Sequence, residues 1–218
     1  MMAEYNARKV VSDILANRYF TNHGPLARAL EQTLEEHMGA RHAVLVGSLE
    51  LGLLVALIAL RTGQHSRLVY YPGDEDPCLV HVGAFSGLSV HALDNPDSVV
   101  QDTDVLFRTL REERDLNCAA VGQGQQQLVV HYPDWSSDRP EQGISDGFPE
   151  PVLLELPTRH GGAVLLFNSD ELAERARNVR SSYGVRKQVP VFVTCNGRYS
   201  EAQAGTVLDY LANSLGWS

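Results

Sequence analysis

The sequence predicts an α/β fold: a three-layer sandwich in which helices cover both faces of a mostly parallel, mixed sheet. Three observations predict it. Residues 43–60 (AVLVGSLELGLLVALIAL) run from an apolar stretch through Gly47-Ser48 into a nearly uncharged helical pattern, a buried strand turning directly into a buried helix. Short apolar runs elsewhere alternate with helical periodicities, as layered α/β domains require. Further helices carry their own start and stop signals. The 218 residues are expected to form one domain, 1–218, with residues 1–24 as an N-terminal helix-and-loop arm.

Taken in order, residues 4–17 form a modest helix, and Arg18-Tyr19-Phe20-Thr21-Asn22-His23-Gly24 is an aromatic loop. Pro25 suits the first position of a helix whose apolar face is Leu26, Leu30, Leu34 and Met38, and Gly39 ends it. A strand at 42–47 and a helix at 49–61 follow, with Ser48 as N-cap. Apolar runs at 67–71, 88–93, 117–121 and 127–132 read as strands between turns such as Pro72-Gly73-Asp74. Residues 104–114 read as a short helix, and 133–150 as a long surface loop. Strong strands at 151–156 and 162–167 precede a helix at 169–182 that starts at Asn168 or Ser169, with Glu171 at capping-box spacing from Asn168 and Gly184 as the stop. A strand at 189–194 leads to a final helix capped by Ser200 with Gln203.

Composition narrows the function. A net charge of −9 argues against nucleic acid and against a basic membrane-facing surface. The N-terminus lacks a signal-peptide core and the apolar helix is too short to span a bilayer, so a cytoplasmic, soluble protein is expected. Cys78, Cys118 and Cys195 are widely spaced and read as reduced, mostly buried thiols. No metal is expected, because the eight histidines form no HxH or HExxH pattern and His81 and His91 stand ten apart. Gly122-x-Gly124 is a loop without a following helix, not a dinucleotide fingerprint.

Three segments resemble the DegT/DnrJ family of fold-type I PLP-dependent sugar aminotransferases. Tyr19-Phe20-Thr21 with Gly24-Pro25-Leu26, running into HAVLVGS, is similar to the family's W/YFTxxGP loop and the AVAVSNGT turn after it. GGAVLLFNSDELAERARNVRSSYG is similar to the family's GGAVVTNDEELAERLRLLRNHG stretch. Asn196-Gly197-Arg198-Tyr199-Ser200-Glu201-Ala202-Gln203-Ala204 matches NYRMSELQAA almost position for position. The resemblance implies the large domain of a PLP aminotransferase without the C-terminal small domain. It also implies a site near Tyr19, Phe20, Thr21, Asn196 and Arg198 that touches substrate or a dimer partner. Arg198 reads equally well as an anchor for the loop before the last helix.

The departures from the family are chemical. Its phosphate turn reads S-N/S-G-T, whereas Gly47-Ser48-Leu49-Glu50 stands here, a carboxylate in place of a threonine. An acid facing a phosphate at ~4 Å costs about 4 kcal/mol per charge pair at intermediate dielectric. The family's Schiff-base lysine falls on Arg159 in Pro157-Thr158-Arg159, and a guanidinium is no amine nucleophile. The only lysines, Lys9 and Lys187, lie elsewhere. The family's pyridinium-partner acid follows the strand that here ends in His131, with Asp134 three further on. PLP binding is therefore expected to be lost, leaving no cofactor. The expected protein is a non-catalytic partner or regulatory subunit in nucleotide-sugar or secondary-metabolite biosynthesis. It would form a homodimer or pair with a full-length aminotransferase, with a nucleotide sugar as a possible ligand. The alternative is a PLP-independent enzyme reusing the ancestral sugar-binding cleft, with His131, Asp134 and His160 as candidate catalytic groups. Glu50 carries the sharpest expectation, that its carboxylate occupies the old phosphate seat and caps the helix itself.

Overall fold

The computed structural model describes residues 6–60, 67–95, 98, 100–101, 104–110, 126–135, 150–158, 161–182, 185, 187–191 and 193–217. Two helices come first, α1 (Ala7–Asn17) and α2 (Pro25–Met38), then strand β1 (His42–Val46) and helix α3 (Leu49–Leu60). β2 (Arg67–Tyr70), α4 (Leu79–Phe85), β3 (Ser89–Ala92), β4 (Asp104–Leu110) and β5 (Gln126–His131) follow. β6 (Val152–Glu155), β7 (Ala163–Phe167), α5 (Asp170–Arg180) and α6 (Glu201–Tyr210) complete the order, with a π-helical turn at Leu211–Leu215.

Seven strands form one sheet in the order β1-β7-β6-β5-β4-β2-β3. β3, β2, β4, β5 and β6 are parallel, while β7 is antiparallel to both of its neighbours, β6 and β1. Two reversals cancel, so β1 points the same way as β6. The C-terminal ends of β1, β2, β4, β5 and β6 and the N-terminal end of β7 therefore share one edge of the sheet. In open α/β sheets this is the edge at which ligands bind.

Both faces are covered over β1, β4, β5, β6 and β7, which is why these strands read as largely apolar runs, while the edge strand β3 is mostly exposed. Val44, Val46, Leu128, Val130 and Leu165 pack with Leu53, Leu57, Ala173 and Ala176 under α3 and α5. Their neighbours Ala43, Leu45, Val129, Val164 and Leu166 pack with Leu30, Leu34, Ala204 and Val207 under α2 and α6. Successive residues point to opposite faces. α1 lies outside this layer against α6 and buries only Val10.

Three elements differ from the sequence expectation. Residues 104–110 are a strand: Val105, Leu106 and Phe107 are all fully buried, and a strand covered on both faces has no period to separate it from a buried helix. Helix α4 was not expected within the Gly/Pro/Asp-rich stretch; it buries only Leu79 and Gly83, and its N-cap, Cys78, makes no side-chain cap bond. The expected strand at 189–194 is irregular, because its chain is tied to α5 instead of to a strand: Val189 N–H donates to Asn178 Oδ1 at 3.2 Å and Cys195 N–H to the Val179 carbonyl at 2.7 Å. The expected strand at 117–121, the Gly122-x-Gly124 loop and the stop at Gly184 lie outside the described residues. The capping box predicted at Ser200 and Gln203 is present, and of the two starts expected for α5 it is Ser169 that caps, its Oγ accepting from Leu172 N–H, while Asn168 N–H donates to Glu150.

Candidate functional site

The sequence segments that carried the resemblance meet at the shared strand edge. β1 ends at Gly47, whose N–H donates to the Gly197 carbonyl at 3.3 Å and whose carbonyl accepts from Gln203 Nε2 at 3.3 Å. Tyr199, fully buried, donates its phenol O–H to the Gly161 carbonyl. Burial pushes that phenol up, so it stays a neutral donor. Gly162 (φ +73°) faces the same turn, and a Cβ there would stand 2.6 Å from the Val46 carbonyl oxygen. Only glycine takes that backbone and that approach without strain.

The aromatic loop docks onto residues 196–200, the strap that carries Tyr199. Thr21 accepts from Glu201 N–H at 3.1 Å, His23 N–H donates to the Tyr199 carbonyl at 2.9 Å, and Asn22 bridges to Ser200. Glu201 then closes the assembly. It is 1% exposed, and its carboxylate accepts from the N–H groups of Gly24 (2.8 Å), Leu26 (2.9 Å) and Ala27 (3.0 Å). α2 has no cap from its own N-cap glycine, so the acid of α6 caps it from 175 residues away, next to the positive end of the helix dipole. Sequence reasoning missed this role; the acid in SEAQ was legible only as part of a motif.

A second network lies behind the loop. Glu31 Oε1 accepts from Leu45 N–H at 3.1 Å and from Arg180 Nη1 at 2.9 Å, and His23 Nε2 lies 3.2 Å from it. Burial pushes this carboxyl up, but the His23 hydrogen bond and the Arg180 charge outweigh it and hold it at about 2. Glu35 Oε1 accepts from Ala43 N–H at 2.9 Å. β1 is an edge strand, and the acids of α2 thus satisfy two of its N–H groups.

At the start of α3 it is Ser48 that caps: its Oγ accepts from Leu51 N–H at 3.2 Å. Glu50 is exposed and takes no hydrogen bond among the described residues, which corrects the expectation that its carboxylate would fill the seat. A residue in the first turn must fold back along its own helix to reach the free N–H groups, whereas a short N-cap hydroxyl already faces them. The Glu50 charge is felt by Cys78, whose thiol is pushed up by burial first and then by Asp76 and Glu50. Asp76 accepts from Cys78 N–H at 2.7 Å and from the Tyr132 hydroxyl at 3.2 Å. Asp74 braces that loop, accepting from Thr109 N–H and Oγ1 at 2.8 Å each while pairing with Arg108 at 3.1 Å.

The remaining expected site residues divide. Asn196 accepts from Arg198 Nε at 3.0 Å beside the Gly47 turn, and Tyr19 and Phe20 are exposed, at 39% and 67%. His131 is 1% exposed at the end of β5, with Nδ1 3.2 Å from the Leu110 carbonyl, while Asp134 is exposed. Arg159 and His160 lie outside the described residues. Thr158 just before them has φ +101°, a strained value for a β-branched residue, and its buried Oγ1 has no hydrogen-bond partner among the described residues. Lys9 is an exposed residue of α1 paired with Asp13 at 2.8 Å, and Lys187 is exposed beyond α5. Cys78 and Cys195 are half-buried free thiols, less enclosed than expected, and Cys118 lies outside the described residues. Among the described residues no cluster of three or more His, Cys, Asp or Glu is placed to hold a metal ion, and no helix is long and apolar enough to cross a membrane.

The sequence model of the DegT/DnrJ/EryC1/StrS aminotransferase family matches residues 2–73, which include the aromatic loop and the Gly47 turn. No curated protein sequence matches the chain. Among solved structures, Helicobacter pylori PseC, an aminotransferase involved in the biosynthesis of pseudoaminic acid, superposes with a TM-score of 0.75 at 15% identity, over 97% of this chain and 63% of PseC. A Brucella abortus DegT DnrJ EryC1 StrS aminotransferase gives 0.70 at 17% identity, over 96% and 64%. An E. coli GDP-4-keto-6-deoxy-D-mannose-3-dehydratase with bound hydrated PLP gives 0.72 at 13% identity, over 98% and 68%. The fold is that of the PLP-dependent aminotransferases, and the chain spans about three fifths of the length of PseC.

Proposed function

We propose that this aminotransferase-like chain is a non-catalytic partner or regulatory subunit in nucleotide-sugar or secondary-metabolite biosynthesis. It works as a homodimer or paired with a full-length aminotransferase, and binds no PLP. One observation carries the reading. The framework segments at the strand edge are intact and mutually bonded, through Gly47–Gly197, Tyr199–Gly161 and Glu201–Gly24, while the groups for the chemistry are replaced. The residues present do not fit a pyridoxal phosphate: the described lysines stand outside the site, and a free carboxylate, Glu50, stands in the first turn of α3. His131 is buried and engaged with the Leu110 carbonyl, which favours a structural part for it over proton transfer.

Incubating the purified chain with PLP tests this reading. The expected outcome is an absorbance spectrum of free PLP and no borohydride-fixed lysine adduct by mass spectrometry. An adduct on Lys9 or Lys187 with an internal-aldimine band would overturn it. Co-purification with a full-length aminotransferase from the same cell is the expected sign of the partner role.

A further inference from the structure

We propose that His23 is a protonation-sensitive clasp that holds the 196–200 strap against the aromatic loop, and that charging its imidazole loosens the strap over the Gly47 turn. Its two ring nitrogens are committed to opposite roles. Nε2 lies 3.2 Å from Glu31 Oε1, an oxygen that also takes Arg180 Nη1 and Leu45 N–H and belongs to an ionised carboxylate. An ionised carboxylate only accepts, so Nε2 carries the proton. Nδ1 accepts the Tyr199 N–H at 3.4 Å and is therefore bare. The residue is fixed as the neutral Nε2–H tautomer, and an added proton can go only to Nδ1. There it would aim an N–H at the Tyr199 N–H, and that hydrogen bond is lost.

The ring has little freedom to compensate. His23 sits in the left-handed region at φ +60°, and its N–H and carbonyl are engaged by the Tyr199 carbonyl at 2.9 Å and Arg28 Nη1 at 3.3 Å. The charged groups that face it are Glu31 and Arg28 on α2 and Arg180 on α5. Glu201 on α6 faces the adjoining Gly24 N–H, and the Tyr199 phenol stays neutral. The strap thus keeps the bond from His23 N–H to the Tyr199 carbonyl and that from Glu201 N–H to Thr21 but loses its side-chain latch, next to the residues that close over Gly47 and Gly161. The clasp is measured on the chain alone and depends neither on the proposed loss of PLP binding nor on a partner, so the two readings fail separately.

Amide exchange followed by NMR on the full chain tests the clasp, with rates expressed relative to intrinsic exchange at each pH. As falling pH charges the His23 ring, followed by its own imidazole nitrogen shifts in the same sample, the protection of the Tyr199 amide is expected to fall about tenfold, the loss of one hydrogen bond. In His23→Asn, whose side chain tolerates the left-handed backbone, offers Oδ1 in place of Nδ1 and does not titrate, protection should stay constant. Unchanged protection in the wild type, or a parallel fall in His23→Asn, would overturn the proposal. The imidazole nitrogen shifts of the wild type give a second readout that needs no variant: the Nε2–H tautomer is expected at the upper pH, and an Nδ1–H tautomer overturns the clasp.

Discussion

Two carboxylates of α2 and α6 show how much a single side chain can carry. Glu201 is buried and satisfies three N–H groups at the start of α2. Glu201→Ala leaves those donors in a dry environment, and a loss of about 2–3 kcal/mol is expected from urea unfolding. Glu201→Gln retains acceptor oxygen without the charge and should lose less. Glu31 makes stability depend on pH. Its folded carboxyl sits at about 2, below its ordinary 4.5, so its contribution is complete above about pH 4.5 and fades as pH falls towards about 2. The free-energy gap between wild type and Glu31→Gln should therefore be largest near neutrality and shrink through that acid window; a gap independent of pH would show that the ionised form is not what matters.

At the scale of elements, the Gly161–Gly162 turn before β7 is the tightest seam. Gly162→Ala would place a methyl 2.6 Å from the Val46 carbonyl and 2.7 Å from the Tyr199 ring, at a positive φ. A backbone oxygen has little room to retreat, so a cost of about 2–3 kcal/mol in thermal or chemical unfolding is expected. The sequence made several elements legible because their signals are local. Gly24-Pro25 with Gly39 bounded α2, Ser200 with Gln203 began α6, and unbroken apolar runs marked β1, β6 and β7. β4 was not legible as a strand, since its identity comes from the parallel ladders to β2 and β5 and not from any period of its own. The site shows the same division. Gly47, Ser48, Asn196 and Arg198 were found by motif and do lie together. The cap from Glu201, the Glu31–Arg180 pair and the double engagement of His23 join residues 8 to 177 positions apart, and no local pattern announces them.

At the scale of the molecule, two facts decide what the fold can do. The C-terminal ends of β1, β2, β4, β5 and β6 and the N-terminal end of β7 share one edge, and the fold is that of the PLP-dependent aminotransferases. The described lysines lie away from that edge, on α1 and beyond α5, while the edge carries Glu50, Asp74 and Asp76. The proposed non-catalytic role rests on this combination, an intact bonded framework beside an acidic edge with no described lysine.

The placement of β7 bears on how the chain reaches this state. β1 has a single strand neighbour, and that neighbour is β7, whose residues lie about 120 positions later (His42 opposite Phe167, Val46 opposite Ala163). On a ribosome the first strand emerges long before its pairing surface exists. Until β7 arrives, the acids of α2 serve only the outer edge of β1 at Ala43 and Leu45, and the edge that will meet β7 stays unpaired. The N-terminal third, the portion with a family match, thus lacks the strand partner of β1. Closing that long loop is the entropic hurdle of the whole domain, and its first strand is what a nascent or truncated chain would leave exposed to aggregation.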